Sequence, residues 1–526
     1  MSDNPVAVRT EPEKSIRGGL TASSATVPAL MTLLGELAER RIRYCVWKSN
    51  HHLPQALSGG TDLDLLVDRQ QALMFREVVA RHRLKPLVPS PGRAYPAMEH
   101  YLGLCVESGR LYHLHVHYKL ILGLEYVKDY RVPMEREFLD STRLLNGVPV
   151  PRPELELSVL AVRALLKYRN RDVVKDLFGI RSPGLPEQIR AEMGWLLSQT
   201  TTEEVQAVLQ ASAGPVPPGL VTEFLETTVR APRSGFALFR LRSRLRRGLG
   251  EQQRQSRLRA TAEYYRGAWR RRRRMRRSPV GERMTFAAGG LTIAIVGADG
   301  SGKSTIVDAL ERWLRWKLEV RVYYMGSKSP SRRSRWLYLA FRALRRGHRG
   351  VTKLLGPASM PTRWVGAARD VTVALHYLAI GRDRARRYRA GRGDARMGRV
   401  VIFDRFPLES LTTRPEHRLL DGPRISATLG GSTGRLTTAL AAVEERMYRR
   451  FRLPDYLIVL DVSPEIAADR KTDHIPNVLL AKSRAVSELA TLAEASIGPA
   501  GVIRIDADRS LETVLRDIKA RLWDVL

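Results

Sequence analysis

With two cysteines in 526 residues, Cys45 and Cys105, the chain cannot build a disulfide framework. Both stand in apolar runs, so reduced core thiols of a cytosolic protein are the simplest expectation. Long hydrophobic runs are lacking too. No stretch reaches the roughly 20 apolar residues of a membrane span, and the best candidate, Trp364 to Ile380, is interrupted by Arg369, Asp370 and His376. The start, Met1-Ser-Asp-Asn-Pro5, has neither a basic n-region nor an apolar h-region, so export is not expected and a cytoplasmic location is. Acidic residues are scarce: 54 Asp and Glu face 88 Lys and Arg, for a net charge of +34. Such a surface attracts polyanions at long range. The excess is concentrated, however, in Arg240 to Arg277, including Arg270-Arg-Arg-Arg-Arg274, and again in Arg332 to Arg349. Runs of this kind are most often solvated linkers or helix faces, so nucleic acid or an anionic surface is not the favoured partner.

The length exceeds one hydrophobic core and predicts two to three domains. Composition divides the chain into a polar, aperiodic, disordered tail over 1–26, an α+β region over 27–150, a helical region with an arginine-rich connector over 151–285, and an α/β domain over 286–526.

The clearest motif is Gly297-Ala-Asp-Gly-Ser-Gly-Lys-Ser-Thr305, a match to the phosphate-binding loop G-x-x-x-x-G-K-[ST]. It follows an apolar β-branched run, Leu291 to Val296, and precedes a helix with Ile306, Leu310, Trp313 and Leu314 at helical spacing. Gly297, Gly300 and Gly302 let the backbone curl so that amides, that of Ser301 among them, point at a polyphosphate, aided by the helix dipole. Lys303 supplies a point cation for the β and γ phosphates. Ser304 offers a hydroxyl to Mg²⁺, and Thr305 anchors the loop.

Downstream, strand-like runs at Glu319 to Met325, Arg399 to Phe403, Tyr456 to Leu460 and Val502 to Ile505 alternate with helical segments. This predicts a doubly wound parallel sheet whose ligands bind at the carboxyl ends of the strands. Asp404 and Arg405 follow one of those strands. The Asp can hold Mg²⁺ through water or orient an acceptor, and the Arg can grip an anion bidentately. Asp383-Arg384-Ala385 is expected to end a long helix. Arg470 and Lys471 are expected to end a short one and to lead into Thr472-Asp-His-Ile-Pro476, a polar stretch suited to a mobile lid.

In the first region, Asp62 and Asp64 are two apart on a strand and share a face, which is how hard oxygen ligands are presented to Mg²⁺. His113, His115 and His117 likewise share one face of a hairpin strand and could together hold zinc.

Gly59-Gly-Thr-Asp-Leu-Asp-Leu-Leu-Val67 with His115-Val-His-Tyr118 resembles the minimal nucleotidyltransferase fold, in its uncharacterised bacterial branch. That family pairs a D-x-D strand with a third carboxylate and a Gly-Ser turn that holds nucleotide phosphates. Here His115 stands for the third carboxylate and Lys48-Ser-Asn50 for the turn.

From Gly297 onward the chain resembles thymidylate kinase and related P-loop nucleoside monophosphate kinases, through the loop, Asp383-Arg-Ala385, Asp404-Arg-Phe406, Pro454 to Asp461 and Arg470-Lys471. The resemblance covers most of 288–526, with a gap between Lys328 and Leu375. It implies ATP and Mg²⁺ as cofactors, Asp299 on the acceptor's sugar hydroxyl, Arg384 and Arg405 on the acceptor, and Arg470 and Lys471 on the ATP phosphates; apart from the resemblance, a homodimer is an open expectation. The segment Pro407-Leu-Glu-Ser-Leu-Thr-Thr413 lacks that family's base-reading residues, so the acceptor is expected to be a nucleotide or another small phosphorylated or sugar-like molecule. The leading expectation is an ATP-dependent phosphotransferase. A bifunctional enzyme with nucleotidyl transfer at Asp62 and Asp64 is one alternative, and a nucleotide-switched protein docking on a polyanion through Arg270 to Arg274 is another.

Overall fold

In the computed structural model the described residues are 26–526 without 170, 173, 175–184, 213, 231–234, 278–282, 327–329, 409–410, 412–421, 430–433, 464, 467–469 and 471–475. They form two large sheets. The first contains β1 (Tyr44–Val46), β2 (Leu63–Val67), β3 (Lys85–Val88), β4 (Met98–Cys105), β5 (Arg110–His117) and β6 (Thr285–Phe286). Its order is β1-β2-β5-β4-β3-β6. The predicted hairpin is β4–β5, and β5 lies parallel to β2 with Asp64 opposite His115. Helix α1 (Pro28–Glu39) buries Leu30, Leu33, Leu34 and Leu37, the positions its spacing marks. Two neighbours were not expected. One is β3. The other is β6, which returns from far along the chain to pair antiparallel with β3.

Helix α2 (Pro153–Lys167) is buried on almost every side, wider than the stripe of Leu155, Val159, Val162 and Leu166. Helices Glu187–Leu197, Thr202–Ala211, Pro218–Arg230 and Gly235–Gly248 contribute to the core around it, together with Cys45 and Trp47. The arginine-rich connector ends in α3 (Arg257–Arg277). Both cysteines are buried free thiols.

The second sheet contains β7 (Leu291–Gly297), β8 (Val320–Tyr324), β9 (Val400–Asp404), β10 (Tyr456–Asp461) and β11 (Val502–Asp506). The order is β8-β9-β7-β10-β11 and all neighbours are parallel, as the alternation of strands and helices predicts. A strand covered on both faces reads as a continuous apolar run, because its two side-chain sets enter different cores. Ile293 and Ile295 pack with Ile306 and Leu310 of α4 (Lys303–Leu314), while Ala294 and Val296 pack with Tyr388 and Phe403. The first of these cores also takes Leu87, Leu102 and Leu104 from β3 and β4, so apolar packing is continuous between the sheets.

Between β8 and β9 the chain makes a helical hairpin, α5 (Arg332–Leu355) and α6 (Met360–Arg396). Asp383-Arg-Ala385 therefore lies inside a helix that runs to Arg396 and does not end it. Helices α7 (Pro476–Ile497) and α8 (Leu511–Val525) complete the layers. No helix among the described residues is long and apolar enough to cross a membrane. The tail 1–25, Lys471, the expected lid at 472–475, and most of the segment after Leu408 lie outside the described residues.

Candidate functional site

Strand β7 ends at Gly297 and α4 begins at Lys303, so the glycine-rich turn spans the carboxyl end of a central strand and the amino end of a helix. The turn needs its glycines. Gly300 and Gly302 have φ of 89° and 80°, the left-handed region that side chains resist. At Gly297 a Cβ would stand 2.6 Å from Ser301 Oγ and 3.0 Å from the Leu460 carbonyl oxygen. Gly302 holds the N-cap without a side chain to accept from the first-turn amides of α4. Those amides, with the helix dipole, favour an anion. Lys303 is buried, and its Nζ donates to the Gly297 and Ala298 carbonyls at 2.9 and 2.5 Å, which folds the ammonium over the loop. Ser304 and Thr305 are exposed in the helix's first turn.

Asp299, at the loop's crest, accepts a 2.6 Å hydrogen bond from Lys482 of α7, with Arg405 at 3.5 Å. Burial alone would raise its pKa. The Lys482 bond and the charges of Lys303 and Arg405 outweigh that and hold the carboxyl well below the usual range. Arg405 has φ 60°, an unusual backbone for a side chain of its size, and it directs the guanidinium back toward the loop. Asp404 is buried at the carboxyl end of β9, in register with Ile295 of β7 and Tyr324 of β8. Loop, Asp299, Asp404 and Arg405 thus meet at one end of the sheet.

Two expected residues stand differently. Arg384 is 2% exposed, and its guanidinium is engaged at 2.6 Å by both the Met325 carbonyl and the Tyr448 hydroxyl. It braces the sheet edge against the helix Arg435–Tyr448, where an acceptor contact had been expected. Arg470 donates to the Ala507 carbonyl at 3.0 Å. Lys482 was not foreseen, since a lysine in a mixed helix carries no signal of its own.

The D-x-D strand is also filled in an unexpected way. Asp64 Oδ1 lies 2.8 Å from Lys48 Nζ, 2.9 Å from His115 Nδ1 and 3.4 Å from His117 Nε2. Asp62 meets His113 Nδ1 at 2.9 Å and pairs with Lys317, which follows α4 in the other half of the chain. His113, His115 and His117 do share a face, and His100 of β4 stacks on His115 at 4.5 Å. Burial would raise both carboxyls, but Lys48 and His115 hold Asp64, and His113 and Lys317 hold Asp62, well below the usual range. Ligand atoms of Asp64, His115 and His117 come within 4.8 Å of one another, a set that Asp62 does not join. One carboxylate and two imidazoles suit a transition ion such as Zn²⁺ better than the Mg²⁺ expected from the paired carboxylates.

The turn Lys48-Ser-Asn50 is closed by carboxylates. The Ser49 amide donates to Glu192 Oε1 and the Asn50 amide to Glu156 Oε1, both at 3.1 Å, while Asn50 Nδ2 donates to Glu156 Oε2 at 2.8 Å. Burial pushes the Glu156 carboxyl up to about 7. The backbone donors that a phosphate would need in this turn are thus held by side chains of helices far along the chain.

No protein-family model matches the chain. It is similar to the uncharacterized ATP-binding protein YghS of Escherichia coli K12, at 29% identity over 237 residues, covering 44% of this chain and 93% of that protein. It is likewise similar to the uncharacterized ATP-binding protein YghR of the same strain, at 30% identity over 186 residues, covering 35% of this chain and 69% of that protein.

Proposed function

From the premise that the chain belongs to the family of the ATP-binding protein YghR, we propose that Gly297 to Thr305 is its ATP site, a P-loop, and that 286–526 is a phosphotransferase domain of thymidylate-kinase-like type. The observation that carries this reading is the meeting, at one sheet end, of the glycine turn, the buried Lys303, and the Asp299–Arg405 pair. The first-turn amides of α4 and Lys303 would hold the β and γ phosphates. The Lys303 ammonium has carbonyl partners that phosphate oxygens would replace. Ser304 and Asp404 are the hydroxyl and carboxylate suited to Mg²⁺, which would neutralise phosphate charge when bound.

Arg405 would face the acceptor, a nucleotide or related small phosphorylated molecule, with Asp299 fixing its guanidinium. The bond from the γ-phosphorus to its bridging oxygen breaks, a new bond forms to an acceptor oxygen, and ADP leaves. Nothing in this scheme needs a covalent nucleophile, since positioning and electrostatics supply the rate. In this reading 27–150 and 151–285, which share a core through Cys45, Trp47 and the helices around α2, are accessory to the phosphotransferase domain.

The test is a turnover screen of nucleoside monophosphates, nucleosides and sugar phosphates with ATP and Mg²⁺, reading ADP release. An acceptor-dependent signal that Lys303→Ala abolishes is expected. Wild-type turnover in a folded Lys303→Ala protein would overturn the assignment.

A further inference from the structure

The hairpin of α5 and α6 exposes what most proteins hide. Helix α5 packs on α6 through one face, with Ser334 buried against Asp383 and His376. On the side turned away, Trp336, Leu339, Ala340, Ala343, Gly347 and Leu354 recur at i, i+3, i+4, i+7, i+11 and i+18, and every one is exposed. Trp336 is 73% exposed and Leu354 82%. At the hairpin's turn Leu355 and Met360 are exposed as well, and α6 opens with Trp364 at 71%. Single exposed apolar residues are ordinary, but this many along one helical hairpin, two tryptophans among them, are not.

Charge defines the occupant. Seven arginines and one lysine lie in the 24 residues of α5, and no acidic residue occurs from 320 to 369. Arg335, Arg342, Arg346, Arg349 and Lys353 fall on one flank of the apolar row. Among the described residues none of these five has a carboxylate within ion-pair distance. A second copy of this chain docking by the same face would set cation against cation. A nucleic acid would match the arginines but leave Leu354, Leu355 and Met360 in contact with phosphates. A basic flank beside a Trp and Leu row is the pattern of a helix that lies in the interface of an anionic bilayer, with its aliphatic side chains below the headgroups and its arginines among them.

We propose that the α5–α6 hairpin is a docking surface for an anionic lipid bilayer. Its base is tied to the carboxyl end of β8: the Ser331 amide and the Ser334 hydroxyl both bond Asp383, and the next residue, Arg384, donates to the carbonyl of Met325, just past that strand. Docking would therefore hold that end of the second sheet toward the lipid.

The test uses the full chain in flotation with vesicles of phosphatidylcholine alone, and with vesicles in which a third of the lipid is phosphatidylglycerol. Binding confined to the anionic vesicles is expected, falling about tenfold or more in Trp336→Ser/Leu354→Ser/Trp364→Ser and also in Arg342→Gln/Arg346→Gln. All of these positions are exposed, and unchanged circular dichroism would confirm the fold. Four results would overturn the proposal: no preference for anionic vesicles; a triple variant that floats like wild type; binding lost only when Arg270 to Arg273 of the connector become Gln; or a solution dimer that the triple variant dissociates.

Discussion

Glu156 should make the protein less stable as the solution becomes more basic. The carboxyl is 2% exposed, and burial raises its pKa to about 7 from an ordinary 4.5. The folded state therefore keeps a proton that the unfolded chain releases. The associated stability is complete below about pH 4.5, declines as pH rises through 7, and is flat above that. The difference amounts to roughly 3 kcal/mol. Glu156→Gln removes the titration but also one acceptor, since Glu156 accepts from both the amide and the side chain of Asn50. That loss costs about 1–2 kcal/mol at every pH. The variant should thus be less stable than wild type by about 1–2 kcal/mol near pH 4 and more stable by a similar amount near pH 8. Thermal melts of both proteins at the two pH values read the sign directly. A difference of the same sign at both would refute the idea that Glu156 titrates in the folded protein and that a buried carboxylate closes the Ser49–Asn50 turn.

Arg384→Lys should cost about 2–4 kcal/mol in urea unfolding, because a lysine cannot reach the Met325 carbonyl and the Tyr448 hydroxyl together. Arg405→Lys should leave stability within about 1 kcal/mol but reduce acceptor-dependent ADP release, since its contact with Asp299 is partly exposed. Gly297→Ala should weaken ATP binding in a fluorescent-nucleotide titration, as the new Cβ would meet Ser301 Oγ and force the loop open. Mg²⁺-dependent pyrophosphate release from nucleoside triphosphates should be no higher in wild type than in Asp62→Asn, because lysines already neutralise both carboxylates. A clear excess in wild type would restore nucleotidyl transfer as an activity.

The legible parts were those whose physics is local. A β-branched run, a glycine-rich turn and a helical stripe lie next to one another at Leu291 to Leu314, so one stretch of sequence carries strand, loop and helix together. The same holds for the β4–β5 hairpin, where alternation puts three histidines on one side. What escaped depends on partners distant in the chain. The pairing of β6 with β3 involves two residues with no alternation to read. Lys482 and Lys317 lie 183 and 255 residues from the aspartates they pair with, and a lysine's flexible stem gives no periodic signal. Arg384 shows a different limit: its motif points to a ligand, while the fold buries its guanidinium between the Met325 carbonyl and the Tyr448 hydroxyl, partners that no local pattern announces.

Lys317 offers the sharpest view of how the two sheets depend on one another. It follows α4, whose amino end carries the glycine loop, and its backbone carbonyl accepts from Met284 just before β6 joins the first sheet. Its side chain reaches Asp62 at the amino end of β2. One residue therefore links the loop helix, the connector's return and the D-x-D strand. In Lys317→Met the stem can keep its apolar contacts while the ammonium is lost, leaving Asp62 with His113 as its principal partner. Asp62 is 37% exposed, so water screens the loss, and a cost of about 1–2 kcal/mol follows rather than the larger figure for a fully buried pair. The effect should concentrate at the seam. Limited proteolysis should cut the variant faster between the two sheets, while ATP binding at Gly297 to Thr305 stays within about twofold of wild type. If the variant resists proteolysis as wild type does, the Asp62–Lys317 pair is a surface contact and the continuous apolar core of Leu87, Leu102 and Leu104 with Ile306 and Leu310 holds the sheets together unaided.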